Sequence, residues 1–465
     1  MKTKTCLYLA VLLLTLSCQE FLNIKPYGKT IPKTAEEFSA LIHKHLNDIE
    51  NGSDRALVGN ASRWISLDTG CGNDFENCLT SGGARLPIYM GDVIGGSQDI
   101  YSNLYQAIRD CNIVLNEMEE KGSLLSDKLR ATAHALRGVA YFQLLRMFCE
   151  APEAGNFDQQ NGLSLILSFD MEARTLRSNL QQSIDQIEDD FRKSLSYQLK
   201  DPVFLFTQDV VKGYMARLYF WTEAWEQALP LAQELLKKYP LLEGEAYEKM
   251  MTTAFDRTGN QLLKSYSAIS SSNRNDLNSF NSSLSKRPVS RRFLDSFSAE
   301  EKNNDIRYKL WVNPQRQAIK SFFCGMRTAE FKLIEAECLY HLQRPEAALQ
   351  SINELRAKRI GSYTPLTEAE LPPPADTEII RTDASERELS PLMALILRER
   401  RKELFLEGDR FFEQKRNGSP EYWTAHNGLK YTNRKFMYTF PIPIQDIETV
   451  KGLQQNPGYK DLTSN

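Results

Sequence analysis

Residues Asp209–Pro240 read "DVVKGYMARLYFWTEAWEQALPLAQELLKKYP". Val211, Met215 and Leu218 recur at helical spacing and line one face of a first helix. Trp225, Ala228, Ala232 and Leu235 do the same for a second. Pro240, which has no amide hydrogen to continue the ladder, stops it. Neither helix buries its apolar stripe alone, so such pairs must stack on further pairs.

Working outward, "TAEFKLIEAECLYHLQRPEAALQSINELRAKR", Thr328–Arg359, repeats the pattern. Phe331, Ile334 and Cys338 form its first stripe. Pro345 opens the second helix where no amide hydrogen is needed, and Ala348, Ile352 and Leu355 continue it. Both units resemble tetratricopeptide repeats, with spaced alanines, aromatics and a proline. Upstream, "IYSNLYQAIRDCNIVLNEM" aligns Leu104, Ile108, Cys111 and Leu115, and "LRATAHALRGVAYFQLLRMF" aligns Ala133, Leu136, Ala140 and Leu144. The expected fold is all-α with few short strands. Its helix pairs fall at about 100–240 and 326–416, and loop-rich inserts at 52–96 and 260–325, within a single domain over 18–465.

The start of the chain, "LLLTLSCQEFLNIKPYGKT" (Leu12–Thr30), adds a location. The apolar run Cys6–Leu16 is about half of the roughly 20 residues a membrane-spanning helix needs. Lys2 and Lys4 precede it, so 1–17 reads as a secretory signal peptide. Ser17–Cys18 looks like a lipobox, which makes Cys18 the lipidated first residue. The alternative is an ordinary signal with an incidental cysteine. The formal net charge is −3, and it is more negative once the two lysines leave. That excludes a basic, phosphate-neutralising surface and so nucleic acid as a partner.

Eight cysteines are present. Cys71 and Cys78 in "TGCGNDFENC" form a possible disulfide in an exported chain; free thiols, or a metal site with Asp68, Asp74 and Glu76, are the alternatives. Cys111, Cys149, Cys324 and Cys338 fit buried thiols. His43, His45, His134, His341 and His426 compose no metal-ligand motif, and no nucleophile elbow or phosphate loop is present. No cofactor is expected, although calcium remains open.

Several motifs in order resemble the SusD/RagB family of outer-membrane nutrient-binding lipoproteins. They are "FLNIKP" after Cys18, "LYQAIRDCNIVL" with Tyr105, Ile108 and Asn112, and "ALRGVAYFQLLRMF". "APEAGNFDQQNGLSLIL" follows, with Ser164 where the family has proline. Then come the 328–359 pair, "LRERRKELFLEGDRFFEQKR" and "FPIPIQDIETVKGLQQNPGY". The resemblance implies a lipid-anchored lid on the outer-membrane surface over a SusC-like TonB-dependent β-barrel transporter. It implies capture of an oligosaccharide, or in some members a peptide, and no catalysis. A surface glycosidase or an adhesin is the rival from another class.

Glu399, Glu403 and Glu407 step by four along one helix among arginines. They read as ion pairs rather than as the two carboxylates a glycosidase sets across a sugar. Glu403, Glu407 and Arg410 are expected to pin this helix to the C-terminal segment, with Gly408 at a sharp helix end. Sugars call for aromatic faces flanked by amides, carboxylates and arginines. Trp221 and Trp225 belong to the repeat-like core and Trp423 to a structural C-terminal region. The candidate ligand residues are therefore Trp64, Asn73, Asp74, Tyr89, Tyr266 and Trp311.

Overall fold

The computed structural model describes residues 32–60, 67, 71–76, 94–170, 173–253, 257–265, 288–320, 323–426 and 429–459. The signal segment, Cys18, Trp64, Cys78, Tyr89 and Tyr266 lie outside them.

Helices dominate, and local chemistry sets their ends. Helix α1 (Ala35–Asn51) begins with a capping box between Thr34 and Glu37 and ends at Gly52, whose φ of 71° suits glycine. Helices α2 (Ser97–Glu117), α3 (Leu124–Phe148) and α4 (Leu180–Ser196) follow, α3 capped by Ser123 and α4 by an Asn179–Gln182 box. The two repeat-like pairs are α5 (Gln208–Trp221) with α6 (Trp225–Lys238), and α8 (Thr328–His341) with α9 (Pro345–Ala357). The short α7 (Ile306–Trp311) precedes the second pair, and α10 (Pro391–Glu403) and α11 (Arg410–Arg416) follow it.

The packing order explains the sequence pattern. Helix α3 packs on α1, α2 and α4, then α4 on α5, α5 on α6, α6 on α8, and α8 on both α9 and α10. Helices α3 and α8 are buried nearly all round, so they carry apolar side chains on every face rather than one stripe. Close approach needs small residues: a Cβ on Gly138 of α3 would sit 2.6 Å from the Phe191 ring of α4. One hydrophobic core runs from Ala35 to Leu453 and includes Trp221, with Trp225 packed against it half-buried. Cys111, Cys149, Cys324 and Cys338 are buried in it as expected, and so is Cys71.

The described residues also hold three two-stranded antiparallel pairs: β1 (Asn161–Ser164) with β2 (Arg177–Asn179), β3 (Gln261–Lys264) with β4 (Gly325–Arg327), and β5 (Tyr422–His426) with β6 (Leu429–Asn433). His426 ends β5.

Candidate functional site

The described parts of the two long inserts meet at Asp74–Glu76 and Pro288–Ser290. In the early insert, the Asp54 carboxylate accepts the backbone amides of Ala56, Leu57, Val58 and Gly59 at 2.7–3.1 Å, winding the chain around one anion. Further on, Cys71–Glu76 is held from three directions. Tyr422 Oη donates to the Cys71 carbonyl (2.5 Å), Gln414 Nε2 to the Gly72 carbonyl (3.1 Å), and Arg401 Nε to Asp74 Oδ1 (2.7 Å). The Ser/Asn-rich insert returns beside it: Phe75 bridges Val289, the Glu76 amide donates to the Pro288 carbonyl, and Arg316 pairs with Glu76.

Beneath this junction lies an aromatic wedge. Phe405 stacks on Phe293 at 4.2 Å and on Phe75 at 5.8 Å, and Trp311 packs on it at 6.1 Å. Phe405 sits in the turn between α10 and α11, so both inserts are glued to those helices.

Around the wedge is a buried charge network centred on α10. Glu403 takes Arg307 (3.2 Å), Arg327 (2.7 Å) and Arg359 (3.0 Å); Glu399 takes Arg307 (2.7 Å) and Lys402 (3.0 Å). Glu407 pairs with Lys320 and Arg327. Burial alone would raise Glu403, yet Arg359, Arg327 and Arg307 hold it well below the usual carboxylate range. Glu378 is lowered in the same way by Arg410 and Arg401. Gly408, at φ 76°, turns the chain between α10 and α11. The expected partner was the C-terminal segment. The actual partners lie at 305–327, 356–359 and 378, because α10's acidic face looks into the second half of the fold. The C-terminal segment is tied elsewhere, by Asn456 Nδ2 to the Phe148 and Phe440 carbonyls.

The candidate ligand residues now divide. Asn73 and Asp74 come together with Arg401 and Arg410, but as anchors: Asp74 is 1% exposed, and Asn73 Oδ1 accepts from Gln414 Nε2 at 3.1 Å. Burial raises Asp74's pKa, with Arg401 opposing it. Trp311 is 0% exposed, with Lys320 Nζ 4.8 Å from its ring centroid, so it offers no stacking face. Trp64, Tyr89 and Tyr266 lie outside the described residues, as does Cys78 of the expected disulfide.

Trp423 reverses its reading. Alternation along β5 sends Tyr422 inward to Cys71 and leaves the Trp423 indole 59% exposed, with Lys430 Nζ 5.2 Å from its centroid. Spacing near a C-terminal motif suggested a structural role; only the hairpin register reveals the outward face. Just before β5, Glu421 helps line an open polar cleft of about 750 Å³. Glu223, Ser385, Arg434, Lys435 and Phe436 also border it. Ser385 Oγ donates to Glu223 (3.1 Å), whose pKa burial raises. The cleft thus combines carboxylates, cations, a hydroxyl and an aromatic edge, a set that can hydrogen-bond a polyhydroxylated ligand. Among the described residues, no group of three or more His, Cys, Asp or Glu side chains could hold a metal ion.

Two family models match the chain. The one described as "SusD family" covers residues 301–459, and the one described as "Starch-binding associating with outer membrane" covers 87–220. No curated protein matches. Among solved structures, a SusD superfamily protein from Bacteroides thetaiotaomicron is 18% identical, with a TM-score of 0.67 over 91% of this chain and 100% of its own. A SusD-like carbohydrate-binding protein from Bacteroides vulgatus is 18% identical (TM-score 0.65, 91% and 98% covered). A laminarin-binding SusD-like protein is 17% identical (TM-score 0.59, 92% and 100% covered). At these identities the structures speak for the fold, and the two family models, together spanning more than half of the chain, speak for descent. The chain belongs to the SusD family.

Proposed function

We propose that this protein is a non-catalytic outer-membrane lipoprotein that binds oligosaccharides at the cell surface and delivers them to a SusC-like TonB-dependent transporter. The observation that carries this reading is an exposed indole, Trp423, on a hairpin that begins beside a polar cleft. It occurs in a chain whose residues 87–220 match a starch-binding, outer-membrane-associating description. A pyranose would lay its C–H face on the indole, and its hydroxyls would meet Glu421, Arg434 and Lys435. Glu399 and Glu403, held below the usual range by paired cations, are poor candidates for proton transfer near neutral pH. An acyl group on Cys18 of the Ser17–Cys18 lipobox would supply the attachment.

Calorimetry with starch and laminarin oligosaccharides tests the site. Trp423→Ala should weaken binding by about three- to tenfold, the worth of one aromatic stack, with the melting temperature unchanged. Trp311→Ala should lower the melting temperature instead. Affinity untouched by Trp423→Ala removes the site. Loss of membrane fractionation in Cys18→Ser tests the anchor, and co-purification of a β-barrel tests the transporter.

A further inference from the structure

Between α3, α5, α8 and the α10–α11 corner lies a small cavity of about 30 Å³. Trp221, Arg400, Arg416 and Glu413 line it, and each is at least nine-tenths buried. Trp221 Nε1, Arg400 Nη1, Arg416 Nη1 and Glu413 Oε1 have no protein hydrogen-bond partner. The same side chains are fixed by their other atoms. Arg400 pairs with Asp409 (2.5 Å), Arg416 with Glu337 (2.6 Å) and Glu413 with Arg410 (2.6 Å). The Arg400 and Arg416 guanidiniums also lie 5.0 and 4.1 Å from the Phe220 centroid, so neither is free to swing away.

We propose that this cavity binds a small monovalent anion, chloride, through the N–H groups of Trp221, Arg400 and Arg416. The space suffices, since a polar cavity accommodates a water once it exceeds roughly 10–15 Å³. The donor balance favours an anion over water. Three nitrogens offer hydrogens and only Glu413 Oε1 accepts, so a pair of waters would leave its own hydrogens unmatched, whereas a halide accepts from every donor. Four guanidiniums, of Arg146, Arg217, Arg400 and Arg416, face the three carboxylates of Glu330, Asp409 and Glu413 around the wall, with Glu337 paired to Arg416 behind it. Burial, with the neighbouring Arg217 charge, pushes Arg146 down to about 9, as a cation-crowded wall requires. Burial also pushes Glu413 up to about 7, which reduces its repulsion of an anion.

Thermal unfolding of the purified protein in sodium chloride, against sodium gluconate at equal ionic strength, tests this. The midpoint should rise saturably with chloride alone. Trp221→Phe should weaken the apparent chloride affinity by about tenfold, the worth of a hydrogen bond to a charged acceptor. Arg400→Lys serves as the second variant if Trp221→Phe does not fold. Crystals grown in bromide should show an anomalous peak between Trp221 Nε1 and Arg400 Nη1. Equal midpoints in both salts, water peaks without bromide, or a chloride response unchanged in a folded variant would each overturn the proposal.

Discussion

Glu403 concentrates what single residues do here. Its carboxylate meets Arg307, Arg327 and Arg359, and all four side chains are almost wholly buried. Removing one partner from a buried ion cluster leaves the others uncompensated, so Glu403→Gln should cost about 3–5 kcal/mol, measured by urea unfolding at pH 7. Glu378, Glu399 and Glu403 are all lowered from an ordinary value of 4.5. Their stabilisation is therefore complete above about pH 5 and fades as pH falls through and below 4.5. The mutant should show a shallower acid-side loss, and an identical acid limb would contradict the account. Lys415 carries the opposite sign. Its Nζ donates to the Arg146 (2.7 Å) and Cys149 (2.6 Å) carbonyls that end α3, and burial pushes its ammonium down to about 7 from 10.5. Between those values the unfolded chain holds the extra proton, so this residue's share of stability rises with pH from 7 towards 10.5. Lys415→Met should cost about 1–3 kcal/mol at pH 7, because both carbonyls lose their ammonium donor and that of Cys149 keeps only the long contact from Thr439 Oγ1 (3.5 Å). The deficit should be larger at pH 9.5, and a deficit flat with pH would refute the assignment.

At the scale of elements, the repeat-like pairs were legible because their stripes recur at helical spacing. Val211, Met215 and Leu218, and likewise Ala228, Ala232 and Leu235, are buried where α5 and α6 meet their neighbours. The approach of α3 to α4 was legible only in outline, from small residues along α3. In the fold it comes down to Gly138 against Phe191. Gly138→Val would overpack that contact and should lower stability by about 1–3 kcal/mol, read as a lower denaturation midpoint. Retention of the wild-type midpoint would mean that Phe191 can move aside. The hairpin β5–β6 was missed. Its strands alternate weakly, and the outward face of Trp423 follows from pairing with Thr432 of β6, a relation between residues nine apart.

Across the whole molecule, one core joins helices from both halves through the α6–α8 contact, and residues 71–76 of the early insert meet 288–289 of the later one at the α10–α11 corner. Fragments covering 32–240 and 241–459 should therefore each expose half of an apolar interface. Expressed separately, they should lack the cooperative thermal transition of the intact chain; a sharp transition in either alone would argue for independent units. By itself the sequence determined the helical class, the paired-helix repeat, the family motifs and the paired character of the acidic helix. Each of these is written in local spacing and residue type. Only the tertiary structure decided that Trp311 and Asp74 are buried supports, that Trp423 faces outward, and that Trp221, Arg400, Arg416 and Glu413 share a cavity. Burial and juxtaposition depend on contacts between segments hundreds of residues apart, such as Asp74 with Arg401, and no local pattern encodes them.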